Sequence, residues 1–418
     1  IIVVGGGHAA AQLLDTLRRE GFRGRLSLVS EEAHLPYQRP HLSKLYLAGQ
    51  LQRDKLLYRP AAFYTEQDID VRLNVRASAL DCRARTITLK DGDTLHYDGL
   101  ALTTGARVRR MQLDGETAGG VYYLRTIEDT DRIRSAVKAA QRIVFIGGGF
   151  LGLEAAGVLT SAGKSVTVLE IADRVMAGAV GPEISAHFEA LHREQGVSIR
   201  TATAVTGISV NADNHVTGIT TAGGDQIPAD VVIISIGVEP NAELALDAGL
   251  HCDNGICVDE HALTSDPAVV AAGDCTAHPN AFVDRQLRLE SVHNAVEQAK
   301  TAAASLAGLE RPYRQVPWFW SDQYDRRLQM VGVPQADDQR IVRGNPDSGS
   351  FAVLYFRDGR LTGCHAVNRP ADYMSCRKLM ENRIDLSVAQ AGDLSVDLRD
   401  LVPARTPLAF QRRGAGVA

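Results

Sequence analysis

The chain has 418 residues, of which 45% are hydrophobic and 23% are charged, so it is long enough for two or three globular domains and shows no sign of a disordered composition. Its 45 basic and 50 acidic side chains leave a formal charge of −5, which argues against a nucleic-acid-binding protein. No apolar run is long enough to cross a bilayer, so the default expectation is a cytoplasmic protein with no membrane partner.

The first 32 residues predict a complete dinucleotide-binding unit. Ile1–Val4 is a short apolar strand, and the turn Gly5–Gly7 allows backbone N–H groups to approach a pyrophosphate. Ala9–Arg19 continues as a helix, whose N-terminus attracts an anion. The strand Arg25–Ser30 then leads to Glu31, at the position expected for an acid that binds a ribose.

The same unit occurs a second time, in residues 142–170. It carries all three glycines of the G-x-G-x-x-G pattern and a second strand that ends at Glu170; the glycines are Gly147, Gly149 and Gly152. In the first copy Ala10 takes the third glycine position, and that loop alone is also compatible with a plain packing turn between strand and helix. The repetition favours two bound dinucleotides. Glu170 would accept a ribose hydroxyl and repel a 2′-phosphate, which predicts NADH rather than NADPH at the second unit.

A proline-containing loop follows the first unit. Pro36 and Pro40 exclude a helix before about Leu42. Arg39 and Lys44 could be ordinary solvated charges, but their place just beyond a cofactor-binding strand favours contact with an anionic cofactor. Further along, Asp129–Ala140 and Pro182–Gln195 are predicted helices, and residues 230–236 form a buried strand.

From Asn241 the chain is predicted to return to the first domain. Residues 267–275 form a strand that ends at Asp274, which could hold a polyol hydroxyl or cap the next turn. Leu289–Ala304 is a predicted helix, on which His293 is better interpreted as a structural residue than as a proton donor. The expected domains are 1–108 and 241–311 for the first nucleotide, 109–240 for the second, and 312–418 for a C-terminal α+β domain.

Trp318 and Trp320 occupy alternating positions of a predicted strand and should therefore share a face. They form either a core anchor or an aromatic surface beside the cofactor. Strands at 350–356 and 360–367 and a helix at 371–382 complete the C-terminal domain. The fold class is thus α/β, with two Rossmann-like dinucleotide-binding domains in a glutathione-reductase-like arrangement and a C-terminal α+β domain.

Six scattered cysteines give no C-x-x-C and no metal-binding pattern, and Cys252 and Cys257 are better explained as hairpin residues than as a redox pair. Flavoenzymes that reduce a disulfide or a peroxide need a reactive cysteine beside the flavin. There is no cysteine before Cys82, and Ser43 cannot replace a thiolate, so this class is disfavoured.

Seven segments, in order along nearly the whole chain, resemble the putidaredoxin reductase family of FAD-containing, NADH-dependent reductases: GGGHAA, RPHLSK, LTTGA, IGGGFLGLEAA, TSDPAVVAAGDC, LESVHNAVEQAK and PWFWSDQY. The resemblance implies FAD on the first unit and NADH on the second. For FAD it implies contacts from Gly5, Gly7, Ala10, Glu31, Lys44, Ala77, Arg125, Asp274 and Val292. For NADH it implies Gly147, Gly149 and Gly152, with Glu154 near the nicotinamide and the flavin.

The resemblance also implies an activity. NADH would reduce FAD, and single electrons would pass to a [2Fe–2S] ferredoxin that serves a cytochrome P450 or a similar oxygenase. Lys44 would stabilise the anionic reduced flavin, and Glu154 would orient Lys44. NADH:rubredoxin reduction stays open, as does a redox-gated binding protein of the apoptosis-inducing type. Candidate docking residues, which could equally be solvated charges, are Arg107, Arg109, Arg110, Arg326 and Arg327.

Overall fold

Two parallel sheets and one antiparallel sheet, each of five strands, form the frame of the molecule. The computed structural model describes residues 1–402; residues 403–418 of the predicted C-terminal domain lie outside the described residues. The helices are α1 His8–Arg19, α2 Ala61–Glu66, α3 Ile127–Ala139, α4 Phe150–Ser161, α5 Pro182–Glu194, α6 Glu243–Asp247, α7 Val292–Leu306, α8 Pro370–Glu381 and α9 Val388–Gly392.

The first parallel sheet holds the first glycine turn at the carboxyl end of its central strand. Its strands, in spatial order, are Val269–Ala271, Leu100–Leu102, Ile2–Val4, Leu26–Val29 and Ile69–Arg72. The edge strand Val269–Ala271 pairs with Leu100–Leu102, so the chain does return to this sheet after Asn241. Fully buried alanines, among them Ala10 and Ala299, let α1 and α7 approach closely over it.

The second parallel sheet repeats this arrangement around the second glycine turn. Its strands are Ser198–Arg200, Ser165–Leu169, Arg142–Ile146, Val231–Ile234 and Val121–Tyr123. The central strand is buried from Ile143 to Ile146, as expected for a parallel strand that is covered on both faces.

Small sheets complete the nucleotide-binding regions; they are antiparallel except that Ile256–Cys257 pairs in parallel with Thr276–Asn280. Where the chain crosses between the two parallel sheets, Ala106–Val108 pairs with Val238–Pro240. The other small strands are Ala77–Asp81, Thr86–Leu89 and Thr94–His96; Val205–Val210, Val216–Thr221 and Gln226–Pro228; and Ile256–Cys257, Thr276–Asn280 and Val283–Leu287.

The C-terminal sheet is antiparallel and is covered on both faces. In spatial order its strands are Trp318–Gln323, Arg326–Gly332, Arg360–Val367, Ser350–Arg357 and Gln339–Asn345. Cys364 and Ala366 face α8 in one core, whereas Tyr355 and Val367 belong to the core of the second nucleotide-binding region. One face of the sheet therefore packs against the second nucleotide-binding region.

Several predicted bounds differ from the structure. The prolines were expected to delay a helix only until about Leu42, with Lys44 at its start, but no helix begins there: a 3-10 turn at Arg39–His41 is followed by further turns. The helix expected from Leu289 begins at Val292, because the Ser291 hydroxyl accepts the N–H of Asn294 and caps the helix there. Within residues 1–402, no helix is long and apolar enough to span a membrane, and no group of three potential metal ligands is present.

Candidate active site

A cavity of about 1190 Å³ opens at the carboxyl end of the first sheet. It is bordered by every residue predicted for the first nucleotide except Ala10, which is fully buried in the packing of α1. The predicted residues that border it are Gly5, Gly7, Glu31, Arg39, Lys44, Ala77, Arg125, Glu154, Asp274, Val292 and Trp320. Its volume suits a dinucleotide better than a small metabolite.

The first glycine turn lies close to the backbone of Thr103 on one side and faces the cavity on the other. Gly5 has φ +105°, and a Cβ there would lie 2.2 Å from the carbonyl oxygen of Thr103. A Cβ on Gly7 would meet nothing within 4 Å, because Gly7 faces the cavity. Gly7 is also the N-cap of α1 and makes no side-chain cap, so the first N–H groups of the helix are available to an anion.

The second glycine turn has the same design. Gly147 has φ +104°, and its Cβ would lie 2.4 Å from the carbonyl oxygen of Ser235, whereas Gly149 faces open space. A Cβ on Gly152 would lie 2.4 Å from the carbonyl oxygen of Gly147, so this copy requires the third glycine. The first copy accommodates the methyl group of Ala10.

Two arginines that border the first cavity lie close to His8, at the N-terminus of α1. Arg39 donates to the carbonyl of Arg125 over 3.1 Å and pairs with Glu32, while Arg125 pairs with Asp274 at 3.1 Å. Burial, together with Arg39 and Arg125, lowers the pKa of His8 to about 3, so His8 is neutral at neutral pH. These observations fit an anionic pyrophosphate at the N-terminus of α1.

Glu154 is the most strongly bound acid of the site. The carboxylate is 7% exposed, and its Oε2 accepts from Lys44 Nζ at 2.6 Å and from Ser43 Oγ at 2.7 Å. Its Oε1 accepts from Ser321 Oγ at 2.6 Å, and Gln323 Nε2 in turn donates to Ser321 Oγ over 3.2 Å. The predicted contact between Lys44 and Glu154 is therefore present, and three donors from two separate segments hold the carboxylate in one orientation.

Helix α4 packs against the strand Trp318–Gln323 through successive side-chain contacts. Phe150 lies against Phe319 with ring centroids 4.9 Å apart, and Glu154, one turn later, meets Ser321. Because side chains alternate along a strand, Phe319 and Ser321 share the face turned to α4. Sequence reasoning did not identify Ser321; its only signal was its place in the PWFWSDQY segment, next to Trp320.

We expect Ser321→Ala to slow flavin reduction by NADH about tenfold, because a hydrogen bond to a charged group is lost and Glu154 gains freedom to turn away from Lys44. The rate is measured as bleaching of the flavin band in stopped flow. Ser209→Ala, on an antiparallel strand that borders neither cavity, is the control. An unchanged rate in Ser321→Ala would show that the remaining two donors suffice.

The two tryptophans do share a face, as predicted: their ring centroids are 5.6 Å apart, and Trp320 borders the cavity. His293 lies 5.0 Å from Trp318, and Arg377 lies over the same indole. Burial lowers the pKa of His293 to about 4, so it is neutral at neutral pH and is not a proton donor there.

A second cavity, of about 630 Å³, adjoins the first. Gly149 and Ser235 of the second nucleotide unit border it, and Phe150 and Phe319 border both cavities. Gly147, Gly152 and Glu170 do not border it. Glu170 instead accepts from the backbone N–H groups of Gly148 at 2.7 Å and Ala172 at 2.8 Å, which holds its carboxylate beside the glycine turn.

The sequence profile described as pyridine nucleotide-disulphide oxidoreductase matches residues 1–299, and the profile described as reductase C-terminal matches residues 318–402. The chain belongs to the pyridine nucleotide-disulphide oxidoreductase family. Although the family name refers to disulphides, no cysteine borders either cavity within the described residues. The domain bounds given above remain predictions.

Similar proteins narrow this assignment. The chain is 43% identical to the ferredoxin reductase subunit of a 5,5'-dehydrodivanillate O-demethylase from a Sphingobium species, over 97% of this chain and 98% of the relative. It is 39% identical to putidaredoxin reductase of Pseudomonas putida over 97% of both chains. The crystal structure of the covalent putidaredoxin reductase–putidaredoxin complex superposes with a TM-score of 0.93 at 39% identity, covering 96% of this chain and 97% of the other. The predicted resemblance to the putidaredoxin reductase family is confirmed.

Proposed function

We propose that this chain is an FAD-dependent reductase that takes electrons from NADH and passes them one at a time to a [2Fe–2S] ferredoxin, which supplies a cytochrome P450 or a related oxygenase. The observation that carries the proposal is the Lys44–Glu154 pair, where the cavity of the first nucleotide unit meets α4 of the second. The full-length similarity to ferredoxin reductases supports the same assignment.

The residues of the first cavity fit FAD. The open face of Gly7, the uncapped N-terminus of α1 and the guanidinium groups of Arg39 and Arg125 suit its pyrophosphate. Glu31, which is exposed and lies 3.4 Å from Arg76, is the residue proposed to accept from the adenosine ribose. The remaining FAD contacts in the proposal are Gly5, Ala10, Lys44, Ala77, Asp274, Val292 and Trp320. Bound FAD supplies the chemistry that accepts an electron pair from NADH and releases electrons singly.

Lys44 and Glu154 are the residues to which the proposal assigns catalysis. Lys44 places a positive charge in a cavity where its side chain is only 18% exposed, so its field is weakly screened. Glu154 holds the ammonium group in position and is itself held by Ser43 and Ser321. In this arrangement the protein orients and stabilises, and none of its own side chains has to form a covalent intermediate.

The second unit is proposed to bind NADH through Gly147, Gly149, Gly152, Glu154 and Glu170. We expect Glu170→Gln to shift the ratio of kcat/KM for NADPH to that for NADH by about tenfold toward NADPH, since a like-charge contact with the 2′-phosphate is removed. Steady-state reduction of ferricyanide with each nucleotide measures the ratio. Glu189→Gln on α5, which borders neither cavity, serves as the control. An unchanged ratio would remove Glu170 from the selection of the nucleotide.

The docking of the ferredoxin by arginines remains a proposal. Each of the five candidates has an acidic neighbour: Arg107 pairs with Glu239 and Glu243, Arg109 with Glu239, Arg110 with Glu116, Arg326 with Asp325 and Arg327 with Asp322. A transient redox contact of modest area is sensitive to such charges and to salt. Because acidic side chains neutralise these arginines, the five positions do not form a uniformly basic docking patch.

The function is tested by stopped-flow absorbance. The chain is reduced with NADH and then mixed with a [2Fe–2S] ferredoxin or, separately, with a rubredoxin. Fast reoxidation of the flavin by the ferredoxin supports the proposal, whereas reoxidation by the rubredoxin alone identifies a rubredoxin reductase. A long-lived reduced complex that neither protein discharges would indicate a redox-gated binding protein instead.

We also propose that the protein is located in the cytoplasm. NADH is its electron donor, and the six cysteines are all free thiols within the described residues, as suits a reducing compartment.

A further inference from the structure

A buried histidine of the C-terminal sheet borders the second cavity. His365 lies on the strand Arg360–Val367, between Met330 and Val353 of the neighbouring strands, and is 1% exposed. His365 and Met330 border the cavity that Gly149 of the second nucleotide unit also borders. Beyond the strand Trp318–Gln323, no residue of the C-terminal sheet has been given a part in nucleotide binding so far.

The hydrogen bonds around His365 determine which ring nitrogen carries the proton. The hydroxyl of Tyr355 accepts the backbone N–H of Gly181 at 3.1 Å and lies 3.0 Å from Nδ1 of His365. Among the described residues, the Tyr355 hydroxyl has no other hydrogen-bond neighbour that could accept its proton, which favours donation from Tyr355 to Nδ1. Burial lowers the pKa of His365 to about 3, and a neutral imidazole that accepts at Nδ1 carries its hydrogen on Nε2.

The Nε2–H group faces the cavity. Nε2 has no hydrogen-bond partner among residues 1–402. It is not among the unpaired polar atoms that are fully enclosed by the protein, so it retains some accessible surface. Because His365 borders the cavity, its Nδ1 is bonded to Tyr355 and its Nε2 is not enclosed, Nε2 is the nitrogen that remains available to an occupant. Gly181 is necessary to this geometry, because a Cβ there would lie 2.8 Å from the Tyr355 hydroxyl oxygen.

The position of the cavity indicates which part of the nucleotide His365 would meet. The second cavity joins the proposed flavin site along a lining that the two cavities share. Eight residues border both: Val108, Arg125, Phe150, Leu151, Asp274, Glu290, Ser291 and Phe319. Glu170, the predicted ligand of the adenosine ribose, does not border the second cavity. The half of NADH that exchanges electrons must therefore lie nearer to His365 than the adenosine half does.

We propose that His365 is a nucleotide-binding residue whose Nε2–H donates a hydrogen bond to an oxygen of the nicotinamide half of NADH or NAD⁺, and that Tyr355 is the positioning residue that fixes this tautomer. The inference rests on the proposed function, because it takes the second cavity as the NADH site. It gives the C-terminal sheet a direct part in holding the nucleotide.

The first test measures binding of NAD⁺ and of ADP to the oxidised holoenzyme by isothermal titration calorimetry. His365→Phe keeps a ring but removes the donor, and we expect it to raise the Kd for NAD⁺ about tenfold while leaving the Kd for ADP unchanged. Tyr355→Phe should raise the Kd for NAD⁺ by about threefold, since the tautomer is no longer fixed. His187→Phe, which borders neither cavity, is the control, and FAD content and melting temperature verify folding.

Unchanged NAD⁺ affinity in His365→Phe, or an equal loss for ADP, would overturn the assignment. If the native holoenzyme binds no NAD⁺, the NADH site of the proposed function fails as well, so the two failures are distinguishable. A second measurement does not depend on a substitution: in ¹⁵N-histidine-labelled protein, His365 should be protonated at Nε2, and its Nε2 signal should move on addition of NAD⁺ but not of ADP. Protonation at Nδ1 would contradict the proposal.

Discussion

Lys44→Ala should slow the reduction of bound FAD by NADH about 100-fold, because it removes a preorganised positive charge from a site with little water. In the native chain the ammonium group is bound to Glu154 at 2.6 Å and is 18% exposed. Single-turnover bleaching of the flavin band at saturating NADH measures the rate, and the Kd for NADH should change much less than the rate. A native rate in this variant would remove Lys44 from the mechanism.

Two further variants separate this role from a general loss of structure. Lys55→Ala removes a lysine whose side chain is 69% exposed, and it should leave the rate unchanged. Glu154→Gln should also slow the step, and the double variant should be little slower than Lys44→Ala alone, because the two residues act as a unit. Fully additive losses in the double variant would mean that Glu154 does not act through Lys44.

Gly7→Ala should weaken FAD binding about 100-fold without unfolding the chain. A Cβ at this position meets no protein atom within 4 Å, but it projects into the cavity where the pyrophosphate is proposed to lie. Blocking two charge-assisted hydrogen bonds, each worth about 1.5–3 kcal/mol, accounts for an effect of at least this size. FAD retained through gel filtration and the Kd for added FAD are the measurements.

The second glycine turn supplies the matched control. Gly149→Ala also places its Cβ in open space, so it should leave the FAD content unchanged and raise the KM for NADH. The pair therefore assigns one nucleotide to each turn. If both variants lose FAD, or if Gly7→Ala affects only NADH, the assignment of the two nucleotides is wrong.

The variant Gly5→Ala should behave differently from Gly7→Ala. Its Cβ would lie 2.2 Å from the carbonyl oxygen of Thr103, and the φ of +105° is unfavourable for any side chain. We expect a lower melting temperature even in the absence of FAD, measured on the apoprotein. An unchanged melting temperature would show that the strand bearing Thr103 can move to accommodate the methyl group.

Local patterns were sufficient to predict the two nucleotide units. Each unit is a run of about thirty residues in which strand, glycine turn, helix and second strand follow one another, so its signals are all close in sequence. The same holds for Trp318 and Trp320, whose shared face follows from strand alternation. Element ends were less accurate, because a helix begins where a cap satisfies its free N–H groups, as Ser291 does for α7.

The sequence by itself determined the family and the two glycine turns, and through the family resemblance it identified Lys44 and Glu154 as the catalytic pair. Only the tertiary structure decided what holds that pair. Ser43 and Ser321 are 111 and 167 residues from Glu154, and His365 reaches the second cavity only because one face of the C-terminal sheet packs on the second nucleotide-binding region. Hydrogen bonds between such distant segments leave no periodic signal in the chain, because their partners become neighbours only when separate hydrophobic faces pack together.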